Sequence, residues 1–102
     1  MIAKVALNKS SVGEAIYFEC PGCHYTHVVW TKKYDNSPIR SVWKWNGSLT
    51  LPTIHPSVRV TDKMGLVCHF YLKEGVLMFL NDCTHWKKDC NVPLTEEART
   101  HD

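Results

Sequence analysis

Cysteine and histidine, which are common zinc ligands in proteins, cluster in three short segments of this chain. The segments are Cys20-Pro-Gly-Cys23-His24 with His27 close behind, Cys68-His69, and Cys83-Thr-His85 with Cys90 beyond. A tetrahedral zinc site needs four sulfur or nitrogen ligands about 2.0–2.3 Å from the ion. Because a second cluster accompanies the Cys-x-x-Cys pair, the sequence predicts one zinc site built from distant segments.

The Cys-x-x-Cys pair by itself fits two chemistries. Pro21-Gly22 turns the backbone between Cys20 and Cys23, so that both sulfurs point at one ion and backbone amides can hydrogen-bond the thiolates. Redox-active pairs share this spacing, but they lie at the N-terminus of a helix, whose dipole lowers the thiol pKa. The residues from 24 to 30, HYTHVVW, are typical of a strand. Metal binding is therefore favoured over a redox function.

Strand alternation helps to select among the candidate ligands. Cys20 is in phase with apolar residues of its strand, and so is Cys68, whereas His69 points the opposite way. The predicted ligands are Cys20, Cys23, Cys68 and His85. The substitutes that stay open are Cys83, His69 and His27. An inert buried thiol is the alternative role for Cys68.

Patterns known from hydrolases are weak in this sequence. A catalytic zinc keeps one ligand position open, and Asp82 or His69 beside the ion could then serve a zinc hydrolase. A Ser/His/Asp site is disfavoured because no Gly-x-Ser-x-Gly nucleophile turn is present. Close neighbours in sequence such as Asp82, Cys83 and His85 rarely have the geometry of a triad. A cysteine-rich zinc site is more often structural, so the sequence predicts a non-enzymatic protein.

Length and composition indicate one small globular domain, residues 1–102. The chain is 44% hydrophobic and 22% charged, with a formal net charge of +2. This charge is too small for a strongly basic nucleic-acid binder, and no apolar run approaches the roughly 20 residues of a membrane span. The N-terminal MIAKVAL is too short and too broken by Lys4 for a signal peptide. The expected compartment is the cytoplasm, where five cysteines point to a metal rather than to disulfides.

Short alternating segments separated by turn residues predict a mainly β, antiparallel fold stapled by one zinc site. The predicted strands are residues 15–20, 27–31, 41–45, 58–61, 66–72 and 76–81. Residues 51–57, LPTIHPS, contain two prolines and predict an extended connection rather than a central strand. Residues 82–90 predict a loop or one helical turn. The tail from residue 95 onward is expected to be poorly ordered.

Two tryptophans on one strand face have two interpretations. Trp43 and Trp45, on either side of a lysine, could stack on nucleic-acid bases. A Trp pair on a strand more often covers a small core, and the nearly balanced charge favours this reading. Nucleic acid is therefore not an expected partner. Tyr34, Arg40 and Trp86 are candidate exposed contacts for a protein partner.

Five short motifs follow one another along residues 18–86: CPGC, WKWNG, LPTIHPS, VCHFYLKEGVLMFLN and DCTH. Their order resembles a family of small zinc-binding proteins of phages and prophages, sometimes mislabelled as ammonia monooxygenase. The pattern of that family is Cys-Pro-x-Cys, Trp-x-Trp-Asn-Gly, Pro-Thr-x-x-Pro-Ser, Cys-His and Asp-x-Thr-His. The chain departs from it at His55, a position usually small or polar. It departs again after Thr-His, where WKKDCNVPL replaces a small-residue turn and a Val-Leu strand.

The resemblance implies zinc binding and a phage-related origin, and it implies no established activity. Small accessory proteins of phages often bind and disable a host protein. The prediction is therefore a zinc-stabilised binding protein in the cytoplasm of a bacterial host cell, directed at a host or defence-system protein. Its most specific form is an anti-CRISPR protein acting on a CRISPR nuclease. The alternatives are a zinc hydrolase and a nucleic-acid-binding zinc module.

Overall fold

The structure, a computed structural model, describes residues 5–94, and every regular element in this range is a β-strand. The strands are β1 (Ala6–Lys9), β2 (Gly13–Glu19), β3 (Thr26–Lys33), β4 (Lys44–Trp45), β5 (Ile54–Thr61), β6 (Val67–Lys73), β7 (Val76–Phe79) and β8 (Asn91–Pro93). The predicted mainly β class is confirmed, and the tail predicted to be poorly ordered lies outside the described residues. Among the described residues, no helix has the length and apolar character to cross a membrane.

The strands form two antiparallel sheets. The first sheet has the order β1-β2-β3, and the second has the order β4-β5-β6-β7-β8. Each strand within a sheet therefore pairs with its neighbour in sequence, which requires only short connections. The turn between β6 and β7 contains Glu74 and Gly75, whose φ angles are 48° and 79°. Glycine adopts such a positive φ without steric strain, as the sequence predicts for this hairpin.

One hydrophobic core lies between the two sheets. Alternate residues of the central strands point into it, and five of them are at most 1% exposed: Ile16, Phe18, Phe70, Leu72 and Leu77. The rings of Phe18 and Phe70 meet edge to face with their centroids 5.8 Å apart, which joins the first sheet to the second. Because side chains alternate along a strand, the opposite face of β6 is turned away from this core.

The structure differs from the sequence-based prediction at the prolines of LPTIHPS. Residues 54–57 belong to β5, an interior strand of the second sheet, and not to a connection. Between Ile54 and Val58, β5 advances four residues while its partner β6 advances two. This bulge takes Pro56 out of the ladder, so that its missing N–H leaves no pairing broken. Strands β1 and β8 were also not predicted. Strand β6 begins at Val67, so Leu66, which was predicted to start this strand, precedes it and is 53% exposed.

Candidate functional site

Four side chains from three segments converge beside the core, namely Cys20, Cys23, Cys68 and His85. Their ligand atoms all lie within 4.8 Å of one another. The Sγ atoms of Cys20 and Cys68 are 3.9 Å apart, and Cys68 Sγ lies 3.4 Å from His85 Nε2. In a tetrahedral site with zinc–sulfur bonds of about 2.3 Å, neighbouring sulfurs are about 3.8 Å apart. The cluster therefore has the donor atoms and the size to hold one metal ion.

The CPGC turn presents two of the sulfurs. Cys23 N–H donates to Cys20 Sγ at 3.4 Å. The turn is closed by His24 N–H, which donates to Cys20 O at 2.8 Å, and by Cys20 N–H, which donates to Tyr25 O at 2.9 Å. His24 has a φ of 66° and reverses the chain into β3. Since an amide hydrogen bond favours a thiolate, this turn prepares Cys20 as a ligand.

His85 reaches the cluster across a glycine. A Cβ atom at Gly22 would overlap the imidazole ring, with Nδ1 and Nε2 both 2.6 Å away. Lys87 N–H donates to His85 Nδ1 at 3.1 Å and so orients the ring. A metal at Nε2 requires the ring proton on Nδ1, so metal binding would replace this hydrogen bond. Only a residue without a side chain at position 22 leaves room for the histidine.

The three clustered thiols differ in pKa because each acts on the others. The hydrogen bond from Cys68 outweighs burial and lowers the pKa of Cys20 to about 3. The same hydrogen bond, together with burial, raises the pKa of Cys68. Burial and the charge of Cys20 raise the pKa of Cys23 to about 11. Burial lowers the pKa of His85, which keeps its ring neutral and able to bind a metal.

The other cysteines and histidines proposed as ligands lie outside this cluster. His27 is buried, and its ring stacks on Phe70 with centroids 5.5 Å apart. Cys83 is bonded to backbone atoms, and Cys90 is exposed. None of the cysteines in the described part of the chain forms a disulfide. The remaining candidate, His69, takes part in a different arrangement on the other face of β6.

There, a serine, a histidine and an aspartate form a chain of hydrogen bonds. Ser57 Oγ lies 3.1 Å from His69 Nε2. His69 Nδ1 lies 3.0 Å from Asp82 Oδ2 and 3.1 Å from Oδ1. The carboxylate accepts a hydrogen bond from Nδ1–H, which leaves Nε2 free to accept a hydrogen bond from the serine hydroxyl. The hydrogen bond from His69 also lowers the pKa of Asp82, so the acid is ionised. These contacts are those of a Ser-His-Asp triad.

The second sheet places the three residues of the triad together. β5 supplies Ser57 from the end of its bulge, one residue before pairing with β6 resumes at Val58. β6 supplies His69, which pairs directly with Arg59 of β5. Ser57 and Arg59 are two residues apart and so share the outward face with His69. The loop after β7 brings Asp82 to the same face.

Two neighbouring side chains hold the triad in place. Trp43 Nε1–H donates to Ser57 O at 3.2 Å and thereby fixes the backbone of the serine. The rest of the indole packs against the core, in agreement with the core interpretation of this tryptophan. Arg59 Nε lies 3.7 Å from Asp82 Oδ2. Both of these charged side chains are partly exposed, so the ion pair contributes little stability but favours the ionised carboxylate.

The 82–85 loop runs beside β6 where a neighbouring strand would lie. Side-chain and backbone hydrogen bonds hold it to the backbone of β6. Cys83 Sγ accepts from His69 N–H and donates to His69 O, both at 3.2 Å. Thr84 Oγ1 accepts from Val67 N–H at 2.9 Å, and Thr84 N–H donates to Val67 O at 2.9 Å. One short loop thus supplies both the acid of the triad and the nitrogen of the metal cluster.

Ser57 is the candidate functional residue that the sequence analysis missed. A Gly-x-Ser-x-Gly turn places a serine between a strand and a helix, whereas here a bulge in a β-strand turns it to the outward face. The sequence did contain a signal for the histidine that Ser57 contacts. The alternation that directs Cys68 to the cysteine and histidine cluster turns His69 to the outward face, where the core does not account for it.

The chain matches a known protein family over most of its length. A family model described as bacterial ubiquitination-like system serine protease (BubE) matches residues 3–80. The chain belongs to this family. The matched range includes Ser57 and His69 and ends before Asp82 and His85, so the placement of these two residues rests on the structure. No curated protein and no solved structure matches the chain.

The prediction of a non-enzymatic binding protein is wrong. The family is described as a serine protease, which points to an enzyme. An anti-CRISPR inhibitor does not fit this description either. The phage origin implied by the five motifs has no support in the family match and stays a prediction.

Gly22→Ala should weaken metal binding, because the added methyl group would overlap His85 and push Nε2 out of the cluster. We expect a chelator to remove the metal from the variant at a concentration at least about ten-fold lower than the wild type requires. Lys33→Ala is the control, since Lys33 is exposed in β3 and lies outside the cluster. Metal release from Gly22→Ala at the wild-type concentration would contradict a role for His85 as ligand.

Proposed function

We propose that the chain is a serine peptidase of a bacterial ubiquitination-like system, with Ser57 as nucleophile, His69 as general base and Asp82 as orienting acid. The observation that carries the proposal is the continuous chain of hydrogen bonds from Ser57 Oγ through the imidazole to the carboxylate. The family description supports the same activity. The His69 and Asp82 side chains are 22% and 44% exposed, so a polypeptide can reach the triad from solvent.

The geometry allows acyl transfer in two steps. Ser57 Oγ attacks the carbonyl carbon of a peptide bond while His69 Nε2 takes the hydroxyl proton. Asp82 holds the proton on Nδ1 and stabilises the imidazolium. Nε2 then donates its proton to the leaving amine, and the acyl group stays on the serine. A water molecule, deprotonated by the same Nε2, attacks the ester carbonyl. Nε2 then returns this proton to Ser57 Oγ as the ester bond breaks, which releases the acid product and restores the serine.

We further propose that Cys20, Cys23, Cys68 and His85 bind Zn²⁺ as a structural ion. Three thiolates and one imidazole are a donor set typical of structural zinc, and they leave no ligand position open for water. Bound zinc contributes directly to the folding free energy of a small domain. The ion would connect the turn after β2, strand β6 and the 82–85 loop.

The proposed zinc site adjoins the triad along the chain. Cys68 immediately precedes His69, and Asp82 lies in the same short loop as His85. An ion held by Cys68 and His85 would therefore fix the distance between the base and the acid of the triad. Its role would be positional, since the residues that move protons face away from it.

A zinc hydrolase, the alternative considered from sequence, would need His69 or Asp82 beside the ion. These two side chains instead bond each other on the opposite face of β6. The single domain, the cytoplasmic location and a host or defence-system partner stay predictions. For a peptidase, such a protein would be a substrate rather than a target of inhibition.

Ser57→Ala should abolish peptidase activity, lowering kcat by about 10³-fold or more, because the nucleophilic oxygen is lost. A fluorophosphonate probe should label the wild type once, at Ser57, and should not label the variant. Mass spectrometry of the labelled peptide and a turnover assay measure both effects. Ser41→Ala, which removes an exposed serine elsewhere, should behave as the wild type. Full turnover by Ser57→Ala would overturn the assignment.

Asp82→Asn should lower kcat by about 10²- to 10⁴-fold, because an amide does not hold the Nδ1 proton that leaves Nε2 free to act as base. The zinc content and the KM should stay close to wild type. Asp35→Asn is the matched control, since Asp35 is exposed. Steady-state kinetics of the two variants decide whether Asp82 serves the triad, and equal kcat values would exclude it.

Removing the metal should inactivate the enzyme and expose its ligand thiols. Native mass spectrometry of protein expressed without added metal should show one zinc ion, which a strong chelator removes. Alkylation should modify Cys90 at once, because it is exposed, and the three ligand thiols only after chelation. Rapid alkylation of Cys20, Cys23 and Cys68 before chelation, with activity unaffected by the chelator, would contradict a structural zinc.

A further inference from the structure

The outward face of the second sheet carries apolar side chains next to the nucleophile. β5 and β6 pair at Val58↔Phe70. The adjacent residues on the outward face are Ser57 and Tyr71, which makes them neighbours across the two strands. Tyr71 pairs in turn with Met78 of β7. A row of side chains therefore runs across three strands, from the serine to the methionine.

Tyr71 and Met78 are not part of the core. The residues next to them in sequence, such as Phe70 and Leu77, point inward and are fully buried. Alternation turns Tyr71 and Met78 to the outward face, where the tyrosine is 46% exposed and the methionine is partly exposed. Apolar surface that lies beside a reactive residue and is not covered by the protein is typical of a binding surface.

The charged side chains of this face lie along the strands and not on the row across them. Arg59 is two residues beyond Ser57 on β5, is 58% exposed, and faces Asp82. Lys73 is exposed two residues beyond Tyr71 on β6. A polypeptide that crosses the sheet from Ser57 toward β7 would therefore meet Tyr71 and Met78, and an apolar side chain is compatible with that direction.

We propose that Tyr71 and Met78 form the specificity surface for an apolar side chain, of the size of leucine or phenylalanine, next to the scissile bond. This inference rests on the proposed peptidase function. Neighbouring strands are about 4.8 Å apart, so Tyr71 lies one spacing and Met78 two spacings from Ser57. The occupant is an extended segment of a protein substrate, because an extended chain presents a peptide bond and its flanking side chain to a sheet face together.

The test uses two fluorogenic peptides that differ only in the residue before the scissile bond, which is leucine in one and glycine in the other. The wild type should prefer leucine. Tyr71→Ala and Met78→Ala should each lower kcat/KM for the leucine peptide by about ten-fold or more, with little change for the glycine peptide. The matched control is Tyr17→Ala, which removes a 39% exposed tyrosine from the first sheet and should keep the preference.

Labelling by a fluorophosphonate separates this surface from the triad, because the small probe needs Ser57 and His69 but no apolar side chain. Wild-type labelling rates in Tyr71→Ala and Met78→Ala, together with a lost leucine preference, support the surface. A labelled wild type that cleaves both peptides equally, or neither, overturns it. Absence of labelling in the wild type overturns the peptidase function itself, and the surface with it.

The same face could instead bind a second copy of the chain. Sedimentation at assay concentrations distinguishes the two occupants. A wild-type dimer that Tyr71→Ala dissociates, with no change in peptide preference, would assign the face to self-association and overturn the specificity surface. A monomer with a leucine preference that depends on Tyr71 supports it.

Discussion

Adjacent residues of a β-strand point to opposite faces of the sheet, and this alternation at Cys68-His69 governs the arrangement of the molecule. The thiol of Cys68 turns inward to the cluster with Cys20, Cys23 and His85, and the imidazole of His69 turns outward to Ser57 and Asp82. A shift of β6 by one residue would exchange the two side chains and destroy both sites at once. The packing of Phe70 and Leu72 in the core holds this register, because the same shift would expose both apolar side chains.

The 82–85 loop extends this constraint beyond the sheet. It contributes a residue to each site, and its own backbone is tied to β6 through the side chains of Cys83 and Thr84. A small domain buries a limited fraction of its surface and has little energy to hold an irregular loop in one conformation. A metal bound within the loop would supply that energy locally. The position of the triad acid would then depend on a cluster that takes no part in the proposed chemistry.

The triad on this sheet differs from those built on a strand-to-helix turn. A bulge in β5 turns Ser57 to the outward face, and the Trp43 indole fixes its carbonyl oxygen. A bulge re-aims a side chain while the strands on either side stay paired. A triad is recognised by geometry and by the roles of its members, not by a sequence pattern, so an all-β scaffold can carry it. For the proposed peptidase, the open sheet face around the triad would leave the substrate to be selected by the residues beside the nucleophile.

Much of the molecule could be predicted from local sequence. Period-two alternation with Gly and Pro turns determined the β class, and it placed Cys20 and Cys68 in the core. The Pro-Gly pair determined the turn that brings Cys23 beside Cys20. These features depend on contacts within a strand or a turn, which neighbouring residues specify. The four predicted ligands also lie together in the structure. Each of them could be inferred from the pattern of its own strand or loop.

The triad was decided only by the tertiary structure. Its members, Ser57, His69 and Asp82, lie on two strands and a loop, and their contact depends on a bulge and on the register of β6. The prolines around the bulge predicted a connection instead of a strand, and so concealed the serine. The steric space that Gly22 leaves for His85 is likewise visible only after folding. Local sequence determined the faces on which side chains lie, and long-range pairing decided which of them meet, because contact between distant segments follows from register and not from composition.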